Sequence, residues 1–280
     1  MLLATVGASV DVDEVTMSVG TQVRLARLFS NPSGHLFGIA VDHFVSYGDA
    51  RLSGLDDLPE AIARSMAGRP DTMTMTGGTA KHCWGPYAGK AGLIVQAGSF
   101  TPDDRVAQLM SRPKDAVRLG ADAIAVAIPV NGPSEGMYLQ WLLDTVREAA
   151  EFELPVVAHI YPRDYTDGPK IVFNAEGIAW AVRCGIETGV DVIKVGYPGD
   201  PSAFRDIVEA CPTPIVIAGG PKADTLLDAL TFTSEALHSG AVGAVVGRNI
   251  WGATDAVAAA RAFRAVIHDG LTPQGALDAA

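Results

Sequence analysis

The sequence has few cysteines, few charged residues and no long apolar run. Its 280 residues include only 3 cysteines, none of them in a CxxC pair, and the odd number argues against a disulfide scaffold. No apolar run approaches the about 18 residues that a membrane-spanning helix needs. Residues 1–10 are apolar, but acidic residues follow and no basic segment precedes them, which is unlike a signal peptide. We therefore expect a soluble, cytoplasmic protein with reduced thiols and no membrane partner.

Basic residues are scarce as well. Lys and Arg number 21 against 32 for Asp and Glu, which gives a formal net charge of −11. Surfaces that bind nucleic acid or anionic lipid carry a basic excess, so neither is expected as a partner. Hydrophobic residues make up 48% of the chain, which excludes a disordered protein. Charged residues make up 19%, below the roughly 25% of a typical soluble domain, which favours a homo-oligomer that hides part of its surface.

A recurring pair of elements organises the chain: a short apolar, β-branched run and then a helical stretch. The predicted strands are 36–42, 72–75, 93–97, 123–128, 156–160, 192–195, 215–218 and 243–246. The predicted helices are 18–29, 58–67, 105–119, 138–152, 175–188, 201–210, 223–239 and 254–267. Continuous apolar strands are typical of parallel strands covered on both faces. The Gly-rich segment 77–92 is predicted to be a loop at the mouth of the active site.

Strand–helix units repeated in this way over about 250 residues fit a (β/α)8 TIM barrel in the α/β class. We expect a single domain over residues 1–280, in which residues 1–30 form an N-terminal helical extension that closes the lower end of the barrel. The alternative is an open doubly wound sheet. That fold normally has a Gly-rich dinucleotide turn after its first strand, where this chain instead reads Val41-Asp42-His43-Phe44.

A lysine interrupts the sixth predicted strand. Lys194 follows Val192 and Ile193 and precedes Val195, all apolar. Burying an ammonium group is costly unless the group is paired or loses its proton. Desolvation lowers the pKa of a lysine, and the neutral amine can then attack a carbonyl to form a Schiff base. A surface lysine that snorkels to solvent and a buried ion pair are the structural alternatives.

Two glycine turns follow the last two predicted strands. Gly219 and Gly220 come after the seventh strand, and Gly247 and Arg248 come after the eighth. Loops at these positions of a barrel often bind phosphate through backbone N–H groups. Glycine lets the main chain approach an anion closely, and arginine supplies a charged donor. Together with the lysine, the turns indicate a Schiff-base enzyme for a phosphorylated carbonyl compound.

The chain resembles the archaeal-type class I fructose-bisphosphate aldolases and their relatives in the DhnA/DeoC/LacD aldolase group. The matching segments, in family order, are Val41-Asp42-His43, Ile160-Tyr161-Pro162-Arg163, Ile193-Lys194 with Tyr197-Pro198-Gly199-Asp200, Gly219-Gly220-Pro221-Lys222 and Gly247-Arg248-Asn249-Ile250-Trp251. By this resemblance Lys194 is the Schiff-base lysine, Tyr161 transfers protons and Asp42 contacts the substrate and the lysine. Gly219, Gly220, Gly247 and Arg248 would hold phosphate, His43 would contact the substrate, and the subunits would form a homo-oligomer.

The expected activity is that of a lyase without cofactor or metal, which cleaves or forms a C–C bond in a phosphorylated ketose or related keto compound. Tyr161 would remove the hydroxyl proton, although a rim aromatic packed on Pro162 is the alternative reading. Asp42 would alternatively cap a following helix. One rival function is a Schiff-base transferase of the transaldolase, heptulosonate-synthase or thiolase-like kind. The other is a barrel that binds a sugar phosphate without turnover.

The chain departs from the aldolase pattern in two places. Phe44 stands where most relatives have glycine, and its side chain adds bulk where the first loop leaves the barrel. The third strand ends Gln96-Ala97-Gly98-Ser99, without a lysine for a second phosphate. His159 and Arg163 flank Tyr161, and the sequence leaves structural roles and substrate contacts equally open for both.

Overall fold

Eight parallel strands close into a barrel. The computed structural model describes residues 17–43 and 54–280, so Phe44 and residues 1–16 lie outside the described residues. The barrel strands are β1 (Leu36–Ala40), β2 (Thr72–Thr76), β3 (Gly92–Gln96), β4 (Ala123–Val130), β5 (Val156–Asp164), β6 (Val192–Val195), β7 (Ile215–Ala218) and β8 (Gly243–Val246). Strand β1 pairs in parallel with both β2 and β8, and β4 pairs with β5, which completes the ring. The predicted (β/α)8 fold is confirmed.

Helices surround the barrel. They are α1 (Val19–Leu28), α2 (Leu58–Ala67), α3 (Gly77–Cys83), α4 (Pro113–Arg118), α5 (Glu135–Ala150), α6 (Ala175–Thr188), α7 (Pro201–Glu209), α8 (Leu226–His238), α9 (Arg248–Trp251), α10 (Ala256–His268) and α11 (Pro273–Ala279). Side-chain caps fix where several of them begin. The Thr225 hydroxyl, for example, accepts from the Asp228 backbone N–H, while Asp228 accepts from that of Thr225. Over residues 17–43 and 54–280, none of the helices is long and apolar enough to cross a membrane.

Two predicted segments are wrong. The predicted helix 105–119 is instead a strand, Ala107–Leu109, followed by the short helix α4. That strand pairs antiparallel with Gly98–Phe100 to form a hairpin after β3, and α4 begins at Pro113, whose ring favours the first helical turn. The predicted loop 77–92 contains α3, where Thr76 supplies the N-cap, and a 3₁₀ turn at Gly85–Tyr87.

Helix α1 packs against the N-terminal end of the barrel. Its Leu28 is fully buried and packs into the cluster of inward-facing side chains at the base of the strands. Arg27 lies 3.1 Å from Asp122, and the Gly20 backbone N–H donates to the Glu153 carboxylate at 2.6 Å. Helix α1 is therefore held by burial of an apolar side chain and by polar contacts at its rim.

Alternation along the strands decides which side chains point into the barrel. Residues two apart on a strand share a face. In β6, Val192 belongs to the inner cluster, whereas Ile193 and Val195 belong to the outer core between the sheet and the helices. Lys194, two residues after Val192, therefore lies on the inner face, and the same counting places His159 and Tyr161 inside on β5 with Val157.

Candidate active site

A cavity of about 710 Å³ opens at the C-terminal end of the barrel. The structure brings all of the predicted site residues to this cavity, which is lined by Asp42, His43, Tyr161, Lys194, Gly219, Gly220, Gly247 and Arg248. Segment 77–92, which we expected at the mouth, contributes no residue to the lining. The C-terminal ends of the strands are where barrel enzymes place their reacting groups.

Lys194 is buried inside the barrel, with only 4% of the residue exposed. Its backbone is in register with His159 on one neighbouring strand and Val216 on the other. Burial lowers the pKa of Lys194 to about 8, and the nearby Asp42 carboxylate opposes that fall. The surface-lysine alternative is thus wrong. A buried amine that gives up its proton near neutral pH meets the requirement for nucleophilic attack on a carbonyl.

Asp42 and His43 follow β1 directly. The His43 Nδ1 lies 3.4 Å from the Asp42 carboxylate. Burial lowers the pKa of His43 to about 4; Asp42 raises it, and Lys194 and Arg248 lower it further. The imidazole is therefore neutral at physiological pH, and its ring meets Trp251 edge to face at 5.3 Å. The helix that Asp42 would alternatively cap falls on residues outside the described part of the chain.

Strand β5 supplies two further side chains on the inner face. His159 is 2% exposed, and burial, followed by the charges of Lys194 and His43, holds the pKa of its imidazole well below the usual value. Tyr161 lies one inward position further along the strand, and its ring centroid is 5.9 Å from that of Phe100 in the hairpin after β3. Both side chains line the cavity, so His159 is a site residue that the sequence left undecided.

Arg163, by contrast, has a structural role outside the cavity. Its side chain is completely buried and donates to the Asp104 carboxylate at 2.7 Å and to the Ser134 hydroxyl at 2.8 Å. The Tyr138 hydroxyl also donates to Asp104, at 2.8 Å. These contacts join the hairpin after β3 to the loop after β4, and so they fix the position of Phe100 beside the site.

The two glycine turns lie side by side. Gly220 has a φ of +69°, which glycine adopts without strain. A Cβ on Gly247 would collide with the His43 ring. Arg248 donates to the Gly220 carbonyl at 3.0 Å, and Asn249 donates to the Gly219 carbonyl at 2.7 Å. Asn249, which the sequence analysis quoted in a matching segment without assigning it a role, holds the two turns together.

Part of the lining was not predicted as such from the sequence. The hairpin after β3 and the loop after β5 contribute Phe100, Thr101, Pro102, Asp103, Arg105, Pro169, Lys170, Ile171 and Phe173. Their residue types carry no recognisable catalytic spacing, and the hairpin was hidden by the helix predicted in its place. Gln96 also lines the cavity, from the end of β3. The sequence analysis noted this strand end only because it has no lysine for a second phosphate.

Among the residues that the structure describes, no group of three or more His, Cys, Asp or Glu side chains is arranged to hold a metal ion. All three cysteines are free thiols. Burial raises the pKa of Cys184 to about 12 and also raises that of Cys211, which makes both poor nucleophiles.

Comparison with known proteins identifies the family of this chain. The family model for DeoC/LacD aldolases matches residues 37–253. The chain belongs to the DeoC/LacD aldolase family. This aldolase is 32% identical over 257 residues to fructose-bisphosphate aldolase class 1 of Thermoproteus tenax, with 88% of this chain and 94% of the relative covered. It is also 32% identical over 262 residues to 2-amino-3,7-dideoxy-D-threo-hept-6-ulosonate synthase of Halobacterium salinarum, with 92% and 95% covered.

A solved structure matches this aldolase as well. It is an archaeal fructose-1,6-bisphosphate aldolase whose catalytic lysine is covalently bound to the carbinolamine intermediate of its substrate. The TM-score is 0.78 at 30% identity, with 89% of this chain and 99% of that chain covered. The family and the class of enzyme expected from the sequence, a Schiff-base aldolase, are thereby confirmed.

Proposed function

We propose that this aldolase is an aldehyde-lyase in which Lys194 forms a Schiff base with a phosphorylated ketose or a related keto compound. The observation that carries the proposal is the buried lysine with a pKa of about 8 at the floor of a cavity lined by Asp42 and Tyr161. The gene product would act in the cytoplasm as a single domain.

The chemistry follows from the three side chains. The neutral Lys194 amine adds to the ketone carbon to give a carbinolamine, and loss of water leaves an iminium ion. Tyr161 gives its phenol proton to the departing hydroxide and, as the phenolate, then takes the proton of the hydroxyl group on the carbon beyond the bond to be cleaved. That bond breaks, its electrons move into the iminium as an enamine, and an aldehyde leaves. Protonation of the enamine and hydrolysis return the ketone and the free lysine, while Asp42 balances the positive charge of the iminium.

The glycine turns hold the phosphate in this proposal. Gly219, Gly220 and Gly247 bring backbone close to the cavity, and Arg248 lies beside them with its guanidinium on the Gly220 carbonyl. A charged donor next to glycine backbone suits a phosphate better than a neutral hydroxyl group. His43, neutral and held against Trp251, contacts the substrate from the neighbouring strand.

Arg248→Ala is expected to weaken binding of the phosphorylated substrate by about 1.5–3 kcal/mol, the usual range for a hydrogen bond to a charged group. The measurement is the dissociation constant or KM for a phosphorylated ketose and for its unphosphorylated analogue. The analogue should lose much less affinity. Lys222→Ala is the matched control, because Lys222 donates to the Gly252 carbonyl and does not line the cavity. Equal losses for both substrates would remove the phosphate assignment.

The rate of adduct formation is expected to rise as the pH passes through about 8 and to level off above it, because only the neutral Lys194 amine attacks. The measurement is the rate of cyanoborohydride trapping against pH. His43 and His159 face Lys194 but are neutral throughout this range, so the inflection belongs to the lysine. A rate still climbing steeply at about pH 10 would indicate an ordinary lysine, with a pKa of about 10.4.

The strongest rival is a transferase that passes the lysine-bound donor to a second acceptor. The relative from Halobacterium salinarum is named a synthase, which keeps this reading open for the present chain. Turnover of a ketose phosphate with and without an added aldehyde separates the two. Release of a free aldehyde without an acceptor supports the lyase, whereas strict dependence on the acceptor supports the transferase.

We also propose a homo-oligomer. The low charged fraction of 19% favours it. Helix α1 adds an observation of its own, since Met17, Val19 and Val23 are 51%, 75% and 45% exposed at its start and along its length. Light scattering coupled to size exclusion measures the mass directly, and a single mass of 29.2 kDa would contradict the proposal.

A further inference from the structure

Two buried polar atoms in the cavity have no role in the chemistry described so far. They are the side-chain oxygen of Gln96 and the Nε2 of His159, and neither has a hydrogen-bond partner among the described residues. Each residue is only 2% exposed, and both line the cavity. A buried donor or acceptor left without a partner is destabilising, so a ligand that supplies the missing hydrogen bond is favoured over one that does not.

The Gln96 amide has a fixed orientation. Its Nε2 donates to the Gly98 carbonyl at 3.0 Å, which leaves the oxygen as the atom without a partner. Gly98 lies at the start of the hairpin after β3. An amide oxygen only accepts, so the group that satisfies Gln96 must be an O–H or N–H donor.

His159 stands next to the reacting lysine. Its backbone is paired directly with Lys194. Tyr161 is the next residue on the same face of the strand. The ring is neutral, so its nitrogens comprise one donor and one acceptor. A hydroxyl group both donates and accepts, and it therefore fits His159 in either tautomer as well as the acceptor of Gln96.

The position of the two residues tells which part of a substrate they meet. The proposed phosphate turns follow β7 and β8, on one side of Lys194, whereas His159 and Gln96 lie on β5 and β3, on the other side. A keto compound bound to Lys194, with its phosphate in the turns, directs the carbon on the far side of its carbonyl toward β5 and β3.

We infer that Gln96 and His159 are specificity-determining residues that select a donor with a hydroxyl group on the carbon next to the carbonyl, on the side away from the phosphate. This inference rests on the proposed function. A donor with a methyl group at that carbon still forms the Schiff base, but it leaves both buried atoms without partners. Sites built to bind a hydroxyl group reject analogues that lack it far more strongly than apolar pockets reject a size change.

The test compares two probes that differ only in that hydroxyl group, dihydroxyacetone phosphate and hydroxyacetone phosphate. For each, trapping of the protein by cyanoborohydride is followed by mass spectrometry, and kcat/KM is measured for addition to one common aldehyde. The wild-type protein is expected to favour the hydroxylated donor by about 100-fold or more. His159→Phe and Gln96→Leu should each reduce that ratio by about 10-fold or more, chiefly by loss of rate with the hydroxylated donor.

Thr74→Val is the matched control. The Thr74 hydroxyl is likewise buried and without a hydrogen-bond partner among the described residues, but Thr74 does not line the cavity. Its removal should leave the donor ratio unchanged. If the donor ratio responded only to the loss of a buried polar group, it would change in Thr74→Val as it does in the two site variants.

The outcomes separate this inference from the proposed function. Trapping of both probes, with a wild-type ratio near one or a ratio kept in both site variants, overturns the inference and leaves the Schiff-base function intact. Trapping of neither probe overturns the proposed function, and the inference with it. If a site variant does not fold, the wild-type ratio and the other variant still decide the matter.

Discussion

Lys194→Met is expected to abolish turnover and reductive trapping together. Methionine has similar length but no amine, so no Schiff base forms. Lys194→Arg should have the same effect on activity, because a guanidinium stays protonated and cannot attack a carbonyl. The measurement is the mass of the protein after treatment with cyanoborohydride and a phosphorylated ketose, beside the rate of aldehyde release. Turnover that survives in Lys194→Met would end the Schiff-base assignment.

Lys170→Met is the matched control for that experiment. Lys170 also lines the cavity, but it is half exposed at the rim and lies 3.4 Å from Asp164. A lysine at the exposed rim, beside a carboxylate, is not expected to form an adduct. Trapping should therefore persist in Lys170→Met. An adduct found on Lys170 in the wild-type protein would show that reactivity follows access rather than burial.

Lys194→Met also has an expected effect on stability. Because burial lowers the pKa of Lys194 to about 8, the unfolded chain, with a lysine pKa of about 10.4, binds the proton more tightly by about 3 kcal/mol. The unfolded state holds more protons between these two values, so the free energy of unfolding rises with pH across that window. Lys194→Met removes this contribution. At about pH 7 the variant should be more stable than the wild-type protein, and the difference should shrink toward pH 10.

The barrel could be predicted from the sequence because its strands are buried on both faces. Apolar runs such as 192–195 and 215–218 reappear as strands with the same boundaries, and Lys194 stands out because it breaks one of them. These lining residues of the cavity could be predicted because barrel chemistry gathers at strand ends, where Asp42, Tyr161 and Arg248 occur. Alternation along a strand, once its register is known, adds His159 to that set.

The hairpin after β3 could not be predicted in the same way. Its two strands are three residues each, too short for a periodic signal, and one of them is largely exposed. The contacts that fix it come from distant parts of the chain, since Arg163 and Ser134 both meet Asp104. The role of Arg163 was equally hidden, because its partner Asp104 lies 59 residues away along the chain.

Asp104→Ala is expected to lower the free energy of unfolding by about 3 kcal/mol, because it leaves the buried Arg163 guanidinium without its carboxylate. Asp104 also has a φ of +57°, a conformation that alanine adopts less readily than aspartate. The measurement is urea or thermal unfolding of the variant against the wild-type protein. Activity should fall as well, since the hairpin that carries Phe100 beside Tyr161 loses its main attachment.

Arg163→Met separates the charge from the packing. It removes the buried cation, while Asp104, whose side chain is 27% exposed, regains contact with water. The loss of stability in Arg163→Met should therefore be smaller than in Asp104→Ala, and the double variant should be no less stable than Asp104→Ala alone. Additive losses in the double variant would mean that the two side chains act independently. In that case the attachment of the hairpin to the barrel would have to lie in other contacts, such as the packing of Phe100 against Tyr138 at 6.0 Å.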